Sequence, residues 1–345
     1  MSKKENEDKD IQAISVSTTP QLDLFSLLDD RDKDFSNSID IYDALPKYSL
    51  ERRRRFTDIS KAVAKERECR VGSRTIKVKV KPALIETKPG KPELVYPGER
   101  EEIIEDALRK LAVNGGTVMI DGKVGVLFTF YQLRQELKRN NHEFKLSEIK
   151  EAILVCRGAQ LETISEDEET VISSSFFPMV GLTTRKDLKL RDGDTRCYVQ
   201  FNPLVTDSIQ NQTFRLYDYK TSMAIKSPLA RYIHKRMSHH WSQASSKHPY
   251  TPRLVSFLKG SPRGWSDRMA TNVRAMKMAL ETLQEHNVVH SFDDSERIKD
   301  GKKLKDIVYK IYPTDDFVKI IKKANYKSSI NQTKKAIISG KNPDE

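Results

Sequence analysis

The pattern of hydrophobic and polar positions becomes regular only from about residue 99. There, apolar residues recur at helical spacing in "GEREEIIEDALRKLAVNGG", and a short strand, "TVMI", follows. The segments "VLFTFYQLRQELKRN" and "KLSEIKEAILVCRG" each predict a helix. The segments "AQLETISE" and "ETVISSSFFPMVGLTT" predict two strands that flank an acidic turn. The order helix, strand, helix, helix, hairpin indicates a winged helix, which is a helix-turn-helix followed by a β-hairpin wing.

The same order of elements recurs after residue 200. Three helices are predicted in "SPLARYIHKRMSHHW", "TPRLVSFLKGS" and "GWSDRMATNVRAMKMALETLQEHN", with Pro228 in the first turn of the first and Ser266 as the cap of the third. Strands are predicted in "VVHSFDD" and "DIVYKIYP", and the basic segment "SERIKDGKKLK" lies between them. A closing helix follows in "TDDFVKIIKKANYK". The expected fold class is therefore α+β, with two tandem winged-helix domains.

Five segments are expected along the chain. They are a disordered acidic tail at 1–45, a basic linker with short elements at 46–98, a first winged helix at 99–200, a second at 201–326, and a loose C-terminal tail at 327–345. The first segment is polar and has few aromatic residues, which is typical of disorder. Within the linker, "TIKVKVKP" alternates as a strand does, and "ETKPGKPELVYPG" predicts a connector because it is rich in Pro and Gly.

The charge of the chain points to a polyanion as partner. The 345 residues carry a net charge of +12, although residues 1–50 hold 6 Lys and Arg against 11 Asp and Glu. A basic balance of this size is typical of proteins that bind nucleic acid or anionic membranes. No apolar run has the roughly 18 residues that a membrane helix needs, and the start of the chain has no apolar signal-peptide region. Three widely spaced cysteines fit a reducing compartment. We therefore expect a soluble bacterial cytoplasmic protein without a membrane partner.

Enzyme signatures are missing from the sequence. There is no phosphate-binding loop of the G-x-x-x-x-G-K-[ST] type. The adjacent His239 and His240 point about 100° apart on a helix, which does not suit the metal site of a nicking enzyme. His286 and His290 have a metal-like spacing, but the helix is predicted to end between them. We expect no catalytic residues, no metal site and no cofactor.

The longest predicted helix is the best candidate for reading DNA. Met269, Val273, Met276 and Leu283 follow helical spacing and should face the core. The candidates on the opposite side of its first turns are Arg268, Thr271, Asn272, Arg274 and Lys277. Arg can bind guanine O6 and N7, and Asn can bind adenine N6 and N7, in the major groove. The alternative is an ordinary surface helix of an α/β domain.

Two further groups of basic residues are candidates for contacts to phosphate. The predicted second wing carries Lys299, Lys302, Lys303 and Lys305. In the first domain, the candidates on the equivalent helix are Lys145, Lys150 and Arg157. Lysine and arginine side chains beside a reading helix bind the neighbouring phosphates. The wing of the first domain is acidic, so we expect that domain to bind DNA more weakly or to serve pairing instead.

Four segments resemble plasmid replication initiators of the TrfA type. They are "VLFTFYQLRQEL", "TRCYVQFNPLV", "SPLARYIHKRMSHH" and "ATNVRAMKMALETLQEHNVV", within about residues 95–312. The resemblance implies a pair of winged-helix domains that bind direct repeats, called iterons, in double-stranded plasmid origin DNA. It implies local melting of the adjacent AT-rich DNA, with single-stranded melted DNA as a further candidate partner. It also implies recruitment of the host initiator and helicase machinery, and control by an equilibrium between monomer and homodimer.

The acidic N-terminal segment contains "QLDLF", which resembles the bacterial peptide that binds the replicative sliding clamp. The resemblance places Gln21, Leu22, Leu24 and Phe25 in pockets of the host clamp. A disordered segment with a few apolar anchors orders when it binds. The alternative is an N-terminal strand or helix that packs on the body of the chain itself.

Three function classes follow from these observations. The first is a non-enzymatic plasmid replication initiator that binds iterons. The second is a winged-helix transcriptional repressor of plasmid or phage genes, which needs neither a clamp peptide nor a melted origin. The third, a nicking enzyme or nuclease, is disfavoured because its histidine pattern is missing.

Overall fold

The computed structural model describes residues 16–17, 25, 34–50, 55–58, 60, 63–71, 74–88, 90–167, 169–183 and 196–338. In this part of the chain helices and strands are mixed, and the buried hydrophobic side chains form two separate clusters. The first cluster includes residues from Phe25 to Met223, and the second includes residues from Ile225 to Ile321. The two cores therefore divide at residue 224, whereas the sequence predicts that the second domain begins at residue 201.

The elements before residue 99 are short and mostly strands. They are β1 (Val16–Ser17), β2 (Phe35–Ile39), helix α1 (Asp40–Ala44), β3 (Arg55–Phe56), β4 (Lys65–Val71), β5 (Arg74–Lys81), β6 (Ala83–Lys88) and β7 (Lys91–Val95). The strand β5 confirms the prediction from the alternating residues of "TIKVKVKP". The predicted connector instead forms the β6–β7 hairpin, with Gly90 at a φ of +72° in its turn.

The elements of the next segment follow the predicted order, with one additional strand, β9 (Lys123–Phe128), that was not predicted. They are α2 (Glu99–Leu111), β8 (Thr117–Ile120), β9 (Lys123–Phe128), α3 (Phe130–Arg139), α4 (Leu146–Gly158), β10 (Gln160–Ile164) and β11 (Val171–Ser175). A capping box begins α3, because the Gln132 backbone N–H donates to Thr129 Oγ1 over 3.1 Å and the Thr129 N–H donates to Gln132 Oε1 over 2.8 Å.

A connecting region joins the two units and belongs to the first cluster. It contains β12 (Val180–Gly181), β13 (Cys197–Gln200), α5 (Pro203–Asn211), β14 (Phe214–Asp218) and α6 (Tyr219–Ala224). The strand β13 pairs with β9, and Phe201 and Val205 are buried in the first core. These contacts are the reason why residues 201–223 lie with the first unit.

The second unit consists of three helices, a long hairpin and a closing helix. They are α7 (Pro228–His240), α8 (Leu254–Lys259), α9 (Met269–Glu285), β15 (Val289–Asp300), β16 (Lys303–Pro313) and α10 (Asp315–Ile338). The basic segment "SERIKDGKKLK" is not a loop, because β15 and β16 run through it and leave only a two-residue turn at Gly301 and Lys302. The helix α10 extends to Ile338, so the prediction of a loose tail from residue 327 is wrong for residues 327–338.

The strands described form five sheets. Their orders are β1-β8-β9-β13-β12, β11-β10-β5-β4, β14-β2, β15-β16 and β3-β7-β6. The hairpin that follows α4 is wider than predicted, because β10 pairs with β11 on one side and with β5 on the other. The hairpin β15–β16 forms a sheet of its own and projects from the second unit.

The prediction of disorder through residue 45 is wrong for residues 34–45. The strand β2 lies in this segment and pairs antiparallel with β14, from Phe35 opposite Asp218 to Ile39 opposite Phe214. The side chains of Ile39 and Tyr42 are fully buried in the first core. The partners of this segment lie almost 180 residues away in sequence, so its local polar composition gives no sign of them.

Candidate nucleic-acid interface

The helix α9 divides into an apolar face and a polar face. Met276, Ala279, Leu280 and Leu283 are buried in the second core, as the spacing predicts. The side chains exposed on the opposite side of its first three turns are Arg268, Thr271, Arg274, Lys277 and Met278. Lys277 lies 3.8 Å from Glu281 in an exposed ion pair, which contributes little to stability. The polar face of α9 is therefore open to a partner.

Asn272 does not belong to this exposed face. Its side chain is fully buried, and its Nδ2 donates to the Ser266 carbonyl oxygen over 2.6 Å. Its Oδ1 accepts from the Ser266 backbone N–H over 3.0 Å and from Arg263 Nη1 over 3.1 Å. The prediction that Asn272 contacts a base is wrong, because all these bonds hold the turn before α9. The sequence indicated this burial, since Asn272 lies four residues before the core residue Met276 and therefore on the same face of the helix.

Ser266 also has a different role from the predicted one. The helix α9 begins at Met269, and its N-cap residue is Arg268, whose side chain makes no capping bond. Ser266 instead bonds the Asn272 side chain through its backbone N–H and carbonyl groups. The buried amide of Asn272 thereby sets the angle at which the chain enters the helix.

The hairpin β15–β16 presents the predicted basic residues near its tip. Gly301 takes a φ of +57° in the two-residue turn, a conformation that glycine adopts without strain. Lys299, Lys302 and Lys303 are exposed, and no described carboxylate pairs with them. Lys305 pairs with Asp300 over 3.2 Å, and both side chains are exposed. The tip therefore offers three unpaired ammonium groups and a fourth that is weakly held.

Acidic side chains lie further down the same hairpin. Arg297 pairs with Asp294 over 3.1 Å, and Lys310 pairs with Glu296 over 3.3 Å. The strands are irregular here, with register shifts between Asp293 and Glu296. Bulges of this kind increase the local twist of a hairpin. The unpaired positive charge of the wing is thus concentrated at its tip.

The equivalent helix of the first unit, α4, has a narrower exposed face. Arg157 and the N-cap residue Lys145 are exposed, and Lys150 is half-buried with its Nζ 5.4 Å from the centre of the Phe130 ring. Burial opposes ionisation of the neighbouring Glu151, but hydrogen bonds from Arg100 and Arg55 outweigh it and lower the pKa of Glu151. One side of α4 is therefore engaged with β3 and α2, and only part of the helix is open.

A cleft between α3 and α4 places residues that were not predicted to bind DNA beside the predicted Lys145. Its volume is about 670 Å³, and its lining includes Tyr131, Arg134, Lys138, His142 and Lys145. Tyr131 is 72% exposed. Burial lowers the pKa of His142, whose Nε2 lies 2.9 Å from the Met223 carbonyl oxygen. The spacing of 131, 134 and 138 is that of one helix face, and that spacing was the available signal in the sequence.

Of the four predicted clamp-binding residues, the structure describes Phe25. Gln21, Leu22 and Leu24 lie outside the described residues. The Phe25 side chain is only 1% exposed and contacts Phe214 edge-on, with 5.2 Å between the ring centres. The Asn37 side-chain amide donates to the Phe25 carbonyl oxygen over 2.9 Å. In this conformation Phe25 belongs to the first core, as the alternative interpretation of the segment expected, and it is closed to a clamp.

The described part of the chain contains neither a cluster of metal-ligating side chains nor a helix that could span a membrane. No group of three or more His, Cys, Asp or Glu side chains there lies close enough together to hold a metal ion. Among the same residues, no helix is long and apolar enough to cross a membrane.

Comparisons with known proteins identify similar solved structures. No family model matches the chain, and no curated protein matches it. A structure of domains 2 and 3 of RctB matches with a TM-score of 0.47 and 10% identity, covering 78% of this chain and 96% of that one. A second structure of RctB domains 2–3 matches with a TM-score of 0.44 and 11% identity, covering 80% and 97%.

A third similar structure is that of the Pi initiator protein in complex with iteron DNA. Its TM-score is 0.44 at 9% identity, and the match covers 63% of this chain and 91% of that one. All three TM-scores are below 0.5.

Proposed function

We propose that this chain is a non-enzymatic DNA-binding protein that initiates plasmid replication by binding iterons in the origin. The observation that carries the proposal is the exposed polar face of α9 next to a hairpin with a basic tip. Arg274 and Thr271 can contact base edges in the major groove, and Lys302 and Lys303 can contact phosphates beside it.

We further propose that both units are winged helices. In the second unit, α7, α8 and α9 precede the hairpin β15–β16, and a short bridge pairs Tyr250 with Ile311 beside it. In the first unit, α2, α3 and α4 precede the hairpin β10–β11. In this arrangement the third helix of each unit is the one that enters the major groove. The second unit is the stronger reader, because its exposed face is larger and its wing is basic.

The steps after DNA binding rest on the resemblance to initiators of the TrfA type. They are melting of AT-rich DNA, binding of the melted single strand, recruitment of host helicase machinery, and control by a monomer–homodimer equilibrium. Binding of the host clamp by "QLDLF" belongs to the same proposal. It requires Phe25 to leave its contact with Phe214, since a side chain cannot be buried in both proteins.

To test DNA binding, the full chain is first used to select the sequence that it binds from a pool of random DNA. The selected sequence is then compared with shuffled DNA by fluorescence anisotropy at several salt concentrations. We expect at least about a thousandfold preference for the selected sequence at physiological salt. Equal affinity for both DNAs at every salt concentration would contradict the proposal.

A transcriptional repressor is the second candidate function. The burial of Phe25 favours it, because "QLDLF" then has a structural role in the chain without any clamp. A replication assay separates the two: a plasmid that carries the selected repeats replicates in a cell supplied with an initiator and does not replicate in one supplied with a repressor.

A further inference from the structure

The two hydrophobic cores are separated by a layer of buried charge. It lies between α2 of the first unit and α7 of the second. Lys235 on α7 places its Nζ 3.0 Å from a Glu102 oxygen and 2.5 Å from an Asp106 oxygen, both on α2. All three side chains are buried or nearly so. One ammonium group therefore joins two carboxylates across the boundary between the units.

Arg231 is the second cation of this layer and is fully buried. Its Nη2 lies 3.0 Å from a Glu99 oxygen and its Nε lies 3.4 Å from a Glu102 oxygen. Its Nη1 donates to the Ile225 carbonyl oxygen over 2.9 Å, at the start of the second unit. Glu99 lies at the rim, with its side chain 43% exposed. The guanidinium is thus held by both units at once.

The layer continues into the first unit. Asp106 accepts from Arg109 over 2.7 Å, Arg109 also bonds Asp43 over 2.8 Å, and Asp43 lies 3.4 Å from Lys47. These ion pairs join four carboxylates to four cations, and the buried Glu105, whose pKa is raised by burial, interacts with Lys47 and Arg109 beside them. Burial opposes ionisation of Glu102, but Lys235 and Arg231 outweigh it and lower the pKa of Glu102 to about 2.

A buried ionic layer acts differently from an apolar interface. The hydrophobic effect has no direction, so an apolar interface specifies the placement of two surfaces only through the fit of their shapes. A buried charge that loses its partner is strongly destabilising, while the intact pair adds little net stability over an apolar replacement. The best-attested use of such groups is to specify one register. The layer between α2 and α7 is therefore suited to fix one relative placement of the two units.

The layer connects the two helices proposed to read DNA through the helices that support them. In the first unit α2 packs against α4, and in the second α7 packs against α9. The contacts therefore run from α4 through α2, the ionic layer and α7 to α9. A shift at the layer would change the separation and angle between α4 and α9.

We propose that the ion pairs of Arg231 and Lys235 with Glu99, Glu102 and Asp106 determine the spacing between the two half-sites that the protein recognises on DNA. The proposal rests on the function proposed above. These five are positioning residues, since they act through the helices that contact DNA. If the two reading helices are held rigidly, both can contact their bases only at one spacing of the half-sites. If the two units can move relative to each other, the protein can bind several spacings.

Other contacts keep the two units together when the ion pairs are removed. Ser38 Oγ and His239 Nδ1 lie 2.8 Å apart. Arg215 on β14 donates through its Nη2 to the Asn325 side-chain oxygen on α10 over 2.5 Å. These bonds join the same two units and involve none of the five residues of the ion pairs, so neutralisation of the ion pairs is expected to loosen the placement of the units without separating them.

The experiment uses the full chain and the sequence selected above, with its two halves moved apart or together by one or two base pairs. The variant Glu102→Gln/Asp106→Asn/Lys235→Met removes the two central carboxylates and the ammonium group between them, while Arg231 keeps Glu99 and Arg109 keeps Asp43 as partners. The matched control, Lys79→Met/Glu66→Gln, removes a 2.9 Å ion pair that is partly exposed on β4 and β5.

We expect the wild type and the control to lose about tenfold or more in affinity for each altered spacing, the effect of a lost base contact. The triple variant should bind all the spacings within about threefold of one another, a difference below 1 kcal/mol. Its affinity for each isolated half-site should equal that of the wild type. A general loss of structure would lower all these affinities together, so the half-site values separate a positioning role from a merely structural one.

Where the triple variant does not fold, Glu99→Gln decides, because Glu99 lies at the exposed rim. For this variant we expect the ratio of affinities between the selected and the altered spacings to fall by about two- to threefold. The proposal is overturned if each folded variant discriminates between spacings as the wild type does. A wild type without any sequence preference would instead overturn the proposed function, so the two failures are distinguishable.

Discussion

The side chain of Asn272 closes the turn that leads into the reading helix, since its Nδ2 donates to the Ser266 carbonyl oxygen over 2.6 Å. The residue therefore acts on DNA binding through the fold. We expect Asn272→Ala to lower the free energy of unfolding by about 1–3 kcal/mol, because the buried backbone groups of Ser266 lose their partners. Urea denaturation measures this change. Unaltered stability together with a changed preference at one base pair would restore Asn272 as a base reader.

Arg274 lies on the exposed face of α9, where its guanidinium can bind a guanine. We expect Arg274→Ala to lose about 1–3 kcal/mol of discrimination at one base pair and little affinity for random DNA. Anisotropy titrations with every single-base variant of the selected site measure this. The matched control is Arg70→Ala, an exposed arginine on β4. An equal loss on specific and random DNA would show that Arg274 contacts only phosphate.

Lys302 lies in the turn at the tip of the β15–β16 hairpin, where we expect it to contact phosphate. The variant Lys302→Ala should weaken binding to all sequences alike and reduce the slope of log K against log salt by about 1. The comparison is Lys319→Ala, which removes an exposed lysine near the start of α10 that already pairs with Asp316 over 2.9 Å. A change of specificity without a change of slope would contradict the assignment of Lys302.

The "QLDLF" segment can be tested by retention of the host sliding clamp on the immobilised protein. We expect the wild type to retain the clamp and Leu24→Ala/Phe25→Ala to lose it. Phe25 is also a core residue, and the change of a buried Phe to Ala destabilises a protein by about 3–5 kcal/mol. The variant Leu22→Ala therefore accompanies it, with Leu28→Ala, outside the motif, as the control. Retention of the clamp by every variant would remove the clamp from the proposed function.

His234 predicts a dependence of stability on pH. The side chain is buried between Tyr217 of the first core and Phe317 of the second. Burial lowers its pKa from 6.5 to about 4, with opposing attraction from Asp218 and a further lowering by Lys235 and His286. The folded state therefore keeps His234 neutral, while the unfolded chain binds a proton below pH 6.5.

The stability that this neutral histidine contributes is complete above pH 6.5 and is lost as the pH falls from 6.5 to 4. A shift of this size corresponds to about 3 kcal/mol. Urea denaturation across this pH range measures the loss, and His234→Phe should remove most of the slope. An identical slope in the variant would assign the pH dependence to other groups, such as the buried Glu105, whose pKa is raised by burial.

Local periodicity determined much of the secondary structure. The helices α2, α3, α4, α7 and α9 lie where the spacing of apolar residues predicts them, and the strands β10 and β11 flank the predicted acidic turn. The exposed position of Arg268, Thr271, Arg274 and Lys277 also followed from this spacing. These features depend on residues three or four apart along a helix, or two apart along a strand, so a single sequence contains them.

Only the tertiary structure determined which element packs against each face of a helix or each edge of a strand. The pairing of β2 with β14 and the burial of Phe25 against Phe214 join residues that are far apart in sequence. The charged stripe of Glu99, Glu102 and Asp106 on α2 has the spacing of a solvent-exposed face. Glu102 and Asp106 of this stripe are buried because α7 brings Arg231 and Lys235 against them, while Glu99 lies at the exposed rim. A charge pattern indicates that a helix face is polar, but whether water or an opposite charge covers that face depends on the packing of distant elements.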